Sequence, residues 1–122
     1  MGDRMRKRHA IGIAACLALL AQQGVASSQS ADVSANEMMP GCRDLVNASE
    51  HNGLGQAKCL GIVRAMHYFS HYYFGACSPE RTTLGQTLIV IVRYIDQRPE
   101  RMDERFEDLA LEAILETWPC PK

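Results

Sequence analysis

Five cysteines punctuate the 122-residue chain, and four of them, Cys42, Cys59, Cys77 and Cys120, lie beyond its first third. If these four are oxidised, a chain this short has few ways to fold, because cross-links restrict the unfolded ensemble and force the segments that carry them together. Oxidation depends on compartment, and the N-terminus bears on that. Arg4, Arg6, Lys7 and Arg8 precede the apolar or small residues Ala10 to Ala21, and a stretch of Gln, Gly, Ser and Ala follows. This is the tripartite pattern of a secretory signal peptide, 1–26, with Gly24 and Ala26 as the small residues before the cut; a cut after Ser28 fits nearly as well. Ile13-Ala-Ala-Cys16 also has the form of a lipobox, but the apolar run continues past Cys16 to Ala21, so an acylated anchor at Cys16 is the weaker reading. No apolar run reaches the ~18 residues of a membrane span.

Removal of 1–26 leaves 96 residues with nine basic and thirteen acidic side chains, a net charge of −4. One domain fits that length, and a large multi-domain enzyme does not. No cluster of Lys and Arg survives the cut, which argues against nucleic acid as a partner, whereas a basic protein would be favoured.

Residues 27–36 are small and polar and read as a flexible leader, so the folded domain is expected over 37–122. A short helix is predicted from about Pro40 to Asn47, burying Cys42, Leu45 and Val46, and a loop from there to Gly55. The second helix, Gln56 to Phe74, places Cys59, Ile62, Val63, Met66, Phe69 and Tyr73 at spacings of three and four and ends at Gly75. Ala76 to Thr82 is a polar connection that Pro79 keeps from being helical. Thr83-Leu-Gly-Gln86 has the form of a capping box, so Leu84 to Gln97 reads as a third helix with a Leu88, Ile91, Val92, Ile95 stripe, although its β-branched residues would also suit a buried strand. Pro99 with Glu100, Asp103 and Glu104 is expected to open a fourth helix that runs to Thr117 through Met102, Phe106, Leu109, Ala110, Ala113 and Ile114. The predicted fold class is all-α, a small four-helix bundle.

Four cysteines allow three pairings, and geometry ranks them. Between Cys59 and Tyr73 a helix rises about 21 Å, more than the ~13 Å that the next four residues can retrace, so Cys59–Cys77 is strained. An antiparallel hairpin of the first two helices brings Cys42 opposite Cys59 and leaves Cys77 for Cys120. Loop entropy gives these staples about 3 and about 4 kcal/mol. Spacings of 17, 18 and 43 contain no Cys-x2-Cys knuckle for zinc, and a paired cysteine is no nucleophile.

His67 and His71 are four apart on one helix face, a spacing that could share a metal, but no third ligand accompanies them, and Tyr68, Phe69, Tyr72 and Tyr73 surround them. Two half-buried histidines on an aromatic face, itself suited to an interface, is the better reading. Glu104, Glu107, Asp108, Glu112 and Glu116 read as a solvated helix face answered by Arg101 and Arg105. No Ser-His-Asp set or phosphate-binding glycine loop can be assembled. The expectation is a protein without catalysis, metal or cofactor.

Six motifs in order, Met39-Pro-Gly-Cys42, Lys58-Cys-Leu-Gly-Ile62, Cys77-Ser-Pro79, Thr83-Leu-Gly-Gln86, Tyr94-Ile-Asp-Gln-Arg-Pro-Glu-Arg101 and Trp118-Pro-Cys120, make residues 38–120 resemble the Rap/Tai family of type VI secretion immunity proteins. The resemblance implies a helical, often dimeric periplasmic protein that binds and blocks a peptidoglycan-cleaving amidase effector from neighbouring cells. Cys42, Cys59, Gly61, Cys77, Pro79, Pro99, Trp118 and Cys120 carry over as scaffold. In the family a protruding loop between helices makes part of the inhibitory contact. Here the connection Gly75 to Thr82 is the expected counterpart, with Ser78, Glu80 and Arg81 as partner-binding residues. The alternatives are an orphan periplasmic adaptor of the same fold and a small enzyme or metal carrier built on His67 and His71.

Overall fold

The computed structural model describes residues 32–122. The expected signal peptide 1–26, Cys16 and the first part of the expected leader, 27–31, lie outside the described residues. Four helices make up the described chain: α1 (Ala35–Val46), α2 (Gly53–Tyr73), α3 (Leu84–Asp96) and α4 (Phe106–Thr117), with a single 3-10 turn, Pro99–Arg101, before the last. α1 packs chiefly on α2 and α3 on α4, and each of these pairs also touches the other.

The all-α class and both predicted staples are present. Cys42 and Cys59 join α1 to α2 in the interior, each fully buried, with Cα atoms 5.3 Å apart. Cys77–Cys120 ties the α2–α3 connection to the end of the chain at 4.8 Å and is exposed. α3 is a helix, not a strand: Thr83 Oγ1 accepts from the Gln86 amide at 3.2 Å, and Thr83 N–H donates to Gln86 Oε1 at 2.8 Å. Its buried residues are Thr87, Leu88, Ile91, Val92 and Ile95. The last four meet Phe106, Leu109, Ala110, Ala113 and Ile114 of α4 and Met38, Met39 and Cys42 of α1 in one core.

Three features differ from the sequence reading, two of them helix starts that share a cause. α1 begins at Ala35, not near Pro40, which stands inside the helix on its exposed side. Val33 to Asn36, expected in the leader, are bonded into the fold: the amides of Ala35 and Asn36 donate to the Glu104 and Met102 carbonyls at 2.9 and 2.8 Å, and the Phe106 amide donates to the Val33 carbonyl at 2.9 Å. Ser34 adds a local cap, its N–H on Glu37 Oε2 at 3.2 Å. The free amides of a helix N-terminus need acceptors, and here a distant loop supplies them. The same bonds delay α4. With the Met102 and Glu104 carbonyls given to α1, the segment Pro99 to Arg105 cannot continue as α-helix, so Pro99 opens only the 3-10 turn and α4 starts at Phe106.

The third difference concerns α2. Phe69 and Tyr73, expected on its buried stripe, are 43% and 73% exposed, and Val46 of α1 is also exposed. α2 has 21 residues and rises about 31 Å, whereas α3 and α4, with 13 and 12, rise less than about 20 Å, so α2 overhangs the helices that cover it. Cys59, Val63 and Ser70 are its only buried residues.

α1 and α2 touch backbone to backbone. A Cβ on buried Gly41 would lie 2.2 Å from the Gly55 carbonyl carbon and 2.8 Å from the Gln56 nitrogen, so the close approach requires glycine there.

Candidate functional site

Where α2 overhangs, the chain turns back on itself through a short, tethered connection. Gly75 adopts φ +73°, a left-handed conformation that glycine reaches without steric cost, and stops the helix. The Ala76 amide then returns to the Ser70 carbonyl at 3.0 Å, Ala76 pairs antiparallel with Pro119, and the Cys77 amide donates to the Trp118 carbonyl at 2.8 Å. With the Cys77–Cys120 bond, these contacts anchor the near end of the connection. Thr82 N–H donates to the Pro79 carbonyl at 2.9 Å, closing a tight turn with Glu80 and Arg81 at its two central positions. Both are exposed, while Ser78 is half-buried.

The turn separates two grooves and divides the three predicted contact residues between them. Ser78 and Glu80 line a cavity of about 370 Å³ together with His67, Tyr68, His71 and Tyr72 of α2. Arg81 lines a second, of about 390 Å³, with Gln86, Ile89, Val90 and Trp118. The structure thus brings the histidine pair and the connection, two separate signals in the sequence, to one place. On the other flank of α2 a third, apolar groove is made by Ala65, Met66, Phe69, Tyr73 and Phe74.

Each imidazole is tied back into the fold. Thr87 Oγ1 lies 2.8 Å from His67 Nδ1 and 3.3 Å from the Thr83 carbonyl, so its hydroxyl links the ring to the first turn of α3. His71 Nδ1, 3.2 Å from the Ala76 carbonyl, must donate, because a carbonyl only accepts. Among the described residues no three His, Cys, Asp or Glu side chains gather as metal ligands.

Of the carboxylates expected on the last helix, Glu104, which precedes α4, and Glu112 are engaged elsewhere. Arg101 donates from Nε and Nη2 to the two Glu104 oxygens at 2.7 and 2.6 Å, and from Nη1 to Glu112 Oε2 at 2.6 Å. Tyr94 OH donates to Glu112 at 2.9 Å, and Arg98 stacks over the Tyr94 ring at 3.6 Å. These hydrogen bonds from Arg101 hold both Glu104 and Glu112 below the usual carboxylate range and raise the guanidinium in turn. Burial, aided by the Glu112 contact, pushes the Tyr94 phenol up. The arrangement is an ion-pair network that braces α3, the 3-10 turn and α4, with its acids kept ionised.

Sequence reasoning could name the aromatic face and the connection but not the groove between them, whose walls meet only because Gly75 reverses the chain. The Thr87 partner of His67 carried no local signal.

No helix among the described residues is long and apolar enough to cross a membrane. Comparison with curated proteins and with solved structures gives no match. The family of Rap1a immunity proteins matches residues 34–120, from the cap of α1 to the last cysteine, and the chain belongs to that family.

Proposed function

We propose that this immunity protein acts in the periplasm, where it binds and inhibits a peptidoglycan amidase effector delivered by the type VI secretion system of neighbouring cells. The observation that carries the reading is the family match over the whole stapled bundle, since immunity proteins act against effectors. The local geometry supports binding by obstruction. A turn that presents Glu80 and Arg81 is held at its base by a disulfide and two backbone contacts, so little freedom is lost when a partner closes on it. Ser78, Glu80 and Arg81 are the contact residues of this reading. The −4 charge of residues 27–122 suits an enzyme whose surface grips anionic cell wall. The signal-like N-terminus and two oxidised cysteine pairs support export. The apolar flank at Phe69, Tyr73 and Phe74 is where the homodimer implied by the resemblance would close.

The test is co-expression of the full-length chain with periplasmic amidases, read as survival against lysis, with a chain lacking residues 1–26 as control. Protection by the full-length chain alone supports the reading. Protection by the chain lacking 1–26, or by neither against any amidase that the producing strain encodes, refutes it.

A further inference from the structure

The groove between α2 and the connection carries more information than its place beside the turn. Its lining contains one carboxylate, Glu80, and no lysine or arginine, because Arg81 faces the other groove. His67 and His71 are held in the groove wall, His71 Nδ1 3.2 Å from the Ala76 carbonyl and His67 Nδ1 2.8 Å from the Thr87 hydroxyl. Ser78 contributes a hydroxyl, and Tyr68 and Tyr72 form an aromatic wall with ring centroids 5.3 Å apart. The groove therefore carries negative charge at Glu80, offers carboxylate and hydroxyl acceptors and is walled by π-faces. Its chemical complement is a planar cation that offers several N–H donors and no acceptor, which describes a guanidinium and not an ammonium or an amide. Cations over tyrosine faces are further favoured when partly desolvated.

We infer that this groove receives an arginine side chain of the partner enzyme, stacked against Tyr68 and Tyr72 and hydrogen-bonded to Glu80. The inference rests on the immunity reading for the partner's identity, but the chemistry of the groove can be tested without any enzyme. Arg81 and Glu80 then serve opposite sides of the turn, and the partner must present a cation to one side of it.

The experiment is an NMR titration of the disulfide-intact chain 27–122 with N-acetylarginine methylamide, and with the citrulline counterpart, which has the same shape without the charge. Saturable shifts confined to Tyr68, His71, Tyr72 and Glu80, about tenfold weaker with citrulline, are expected. Glu80→Gln should abolish the difference while leaving the thermal melt unchanged, since Glu80 is exposed at a turn. Equal response to both compounds, no saturable shift in the groove, or a Glu80→Gln chain that still prefers arginine overturns the inference. Full protection of cells by Glu80→Gln would leave immunity standing and remove arginine capture from it. Arginine binding in a chain that protects no cell would overturn the function beneath the inference instead.

Discussion

Two glycine-to-alanine changes, both inside helices, should move stability in opposite directions. In a helix interior alanine is favoured over glycine by about 0.5–1 kcal/mol, because it has less backbone freedom to lose. At Gly61 nothing lies within 4 Å of the added methyl, and the site is exposed, so Gly61→Ala should gain about that amount. At Gly41 the methyl would sit 2.2 Å from the Gly55 carbonyl carbon and 2.3 Å from its oxygen, against backbone that no rotamer change can move. α1 and α2 must separate, and the adjacent Cys42–Cys59 bond limits how they do so. Overpacking of a core costs about 1–3 kcal/mol, and a backbone clash this close belongs at the upper end. After the helical gain is subtracted, Gly41→Ala should lose about 2 kcal/mol. For a domain of this size each kcal/mol shifts the melting temperature by about 4–8 °C, so Gly41→Ala should fall by about 10 °C and Gly61→Ala should rise by about 4 °C. Circular dichroism melts and guanidinium titrations of the oxidised protein, at several concentrations so that self-association does not enter, measure both. If Gly41→Ala is as stable as the parent, the close approach of α1 to α2 is wrong.

The staples should differ in size and in reach. Replacing Cys77 and Cys120 by alanine removes a 43-residue closure and should cost about 4 kcal/mol, against about 3 for the 17-residue one, and mild reductant followed by alkylation should label Cys77 and Cys120 before Cys42 and Cys59, because the first pair is exposed and the second buried. Gly75→Ala places a methyl on a residue at φ +73° and should lose about 1 kcal/mol despite open surroundings, measured by denaturant titration. Glu104 and Glu112 titrate below their unfolded value in the native state, so the unfolded chain binds protons first as pH falls; stability from these groups is complete above about pH 5 and drains away below ~4.3. Arg101→Gln should flatten that acid slope in urea titrations between pH 6 and 3, and an unchanged slope would show that the network is not its source.

Much of this protein can be read along the chain. The periods of α2 and α3, the Thr83 capping box, the Gly75 stop and the cysteine pairing all follow from interactions within a few residues or from the simple comparison of helix rise with chain reach. The regions that could not be read this way depend on partners far away in sequence. α1 starts at Ala35 because loop carbonyls near Met102 and Glu104 accept its first amides, and α4 starts late for the same reason. Phe69 and Tyr73 have the spacing of core residues, yet stay in solvent because α3 and α4 are too short to cover them. The groove of His67, His71 and Glu80 exists only once the chain has reversed and been tied to Cys120. Local propensity and cysteine arithmetic thus determined the class of fold, while hydrogen-bond supply and unequal helix lengths, which are properties of the assembled bundle, decided which surface is left for a partner.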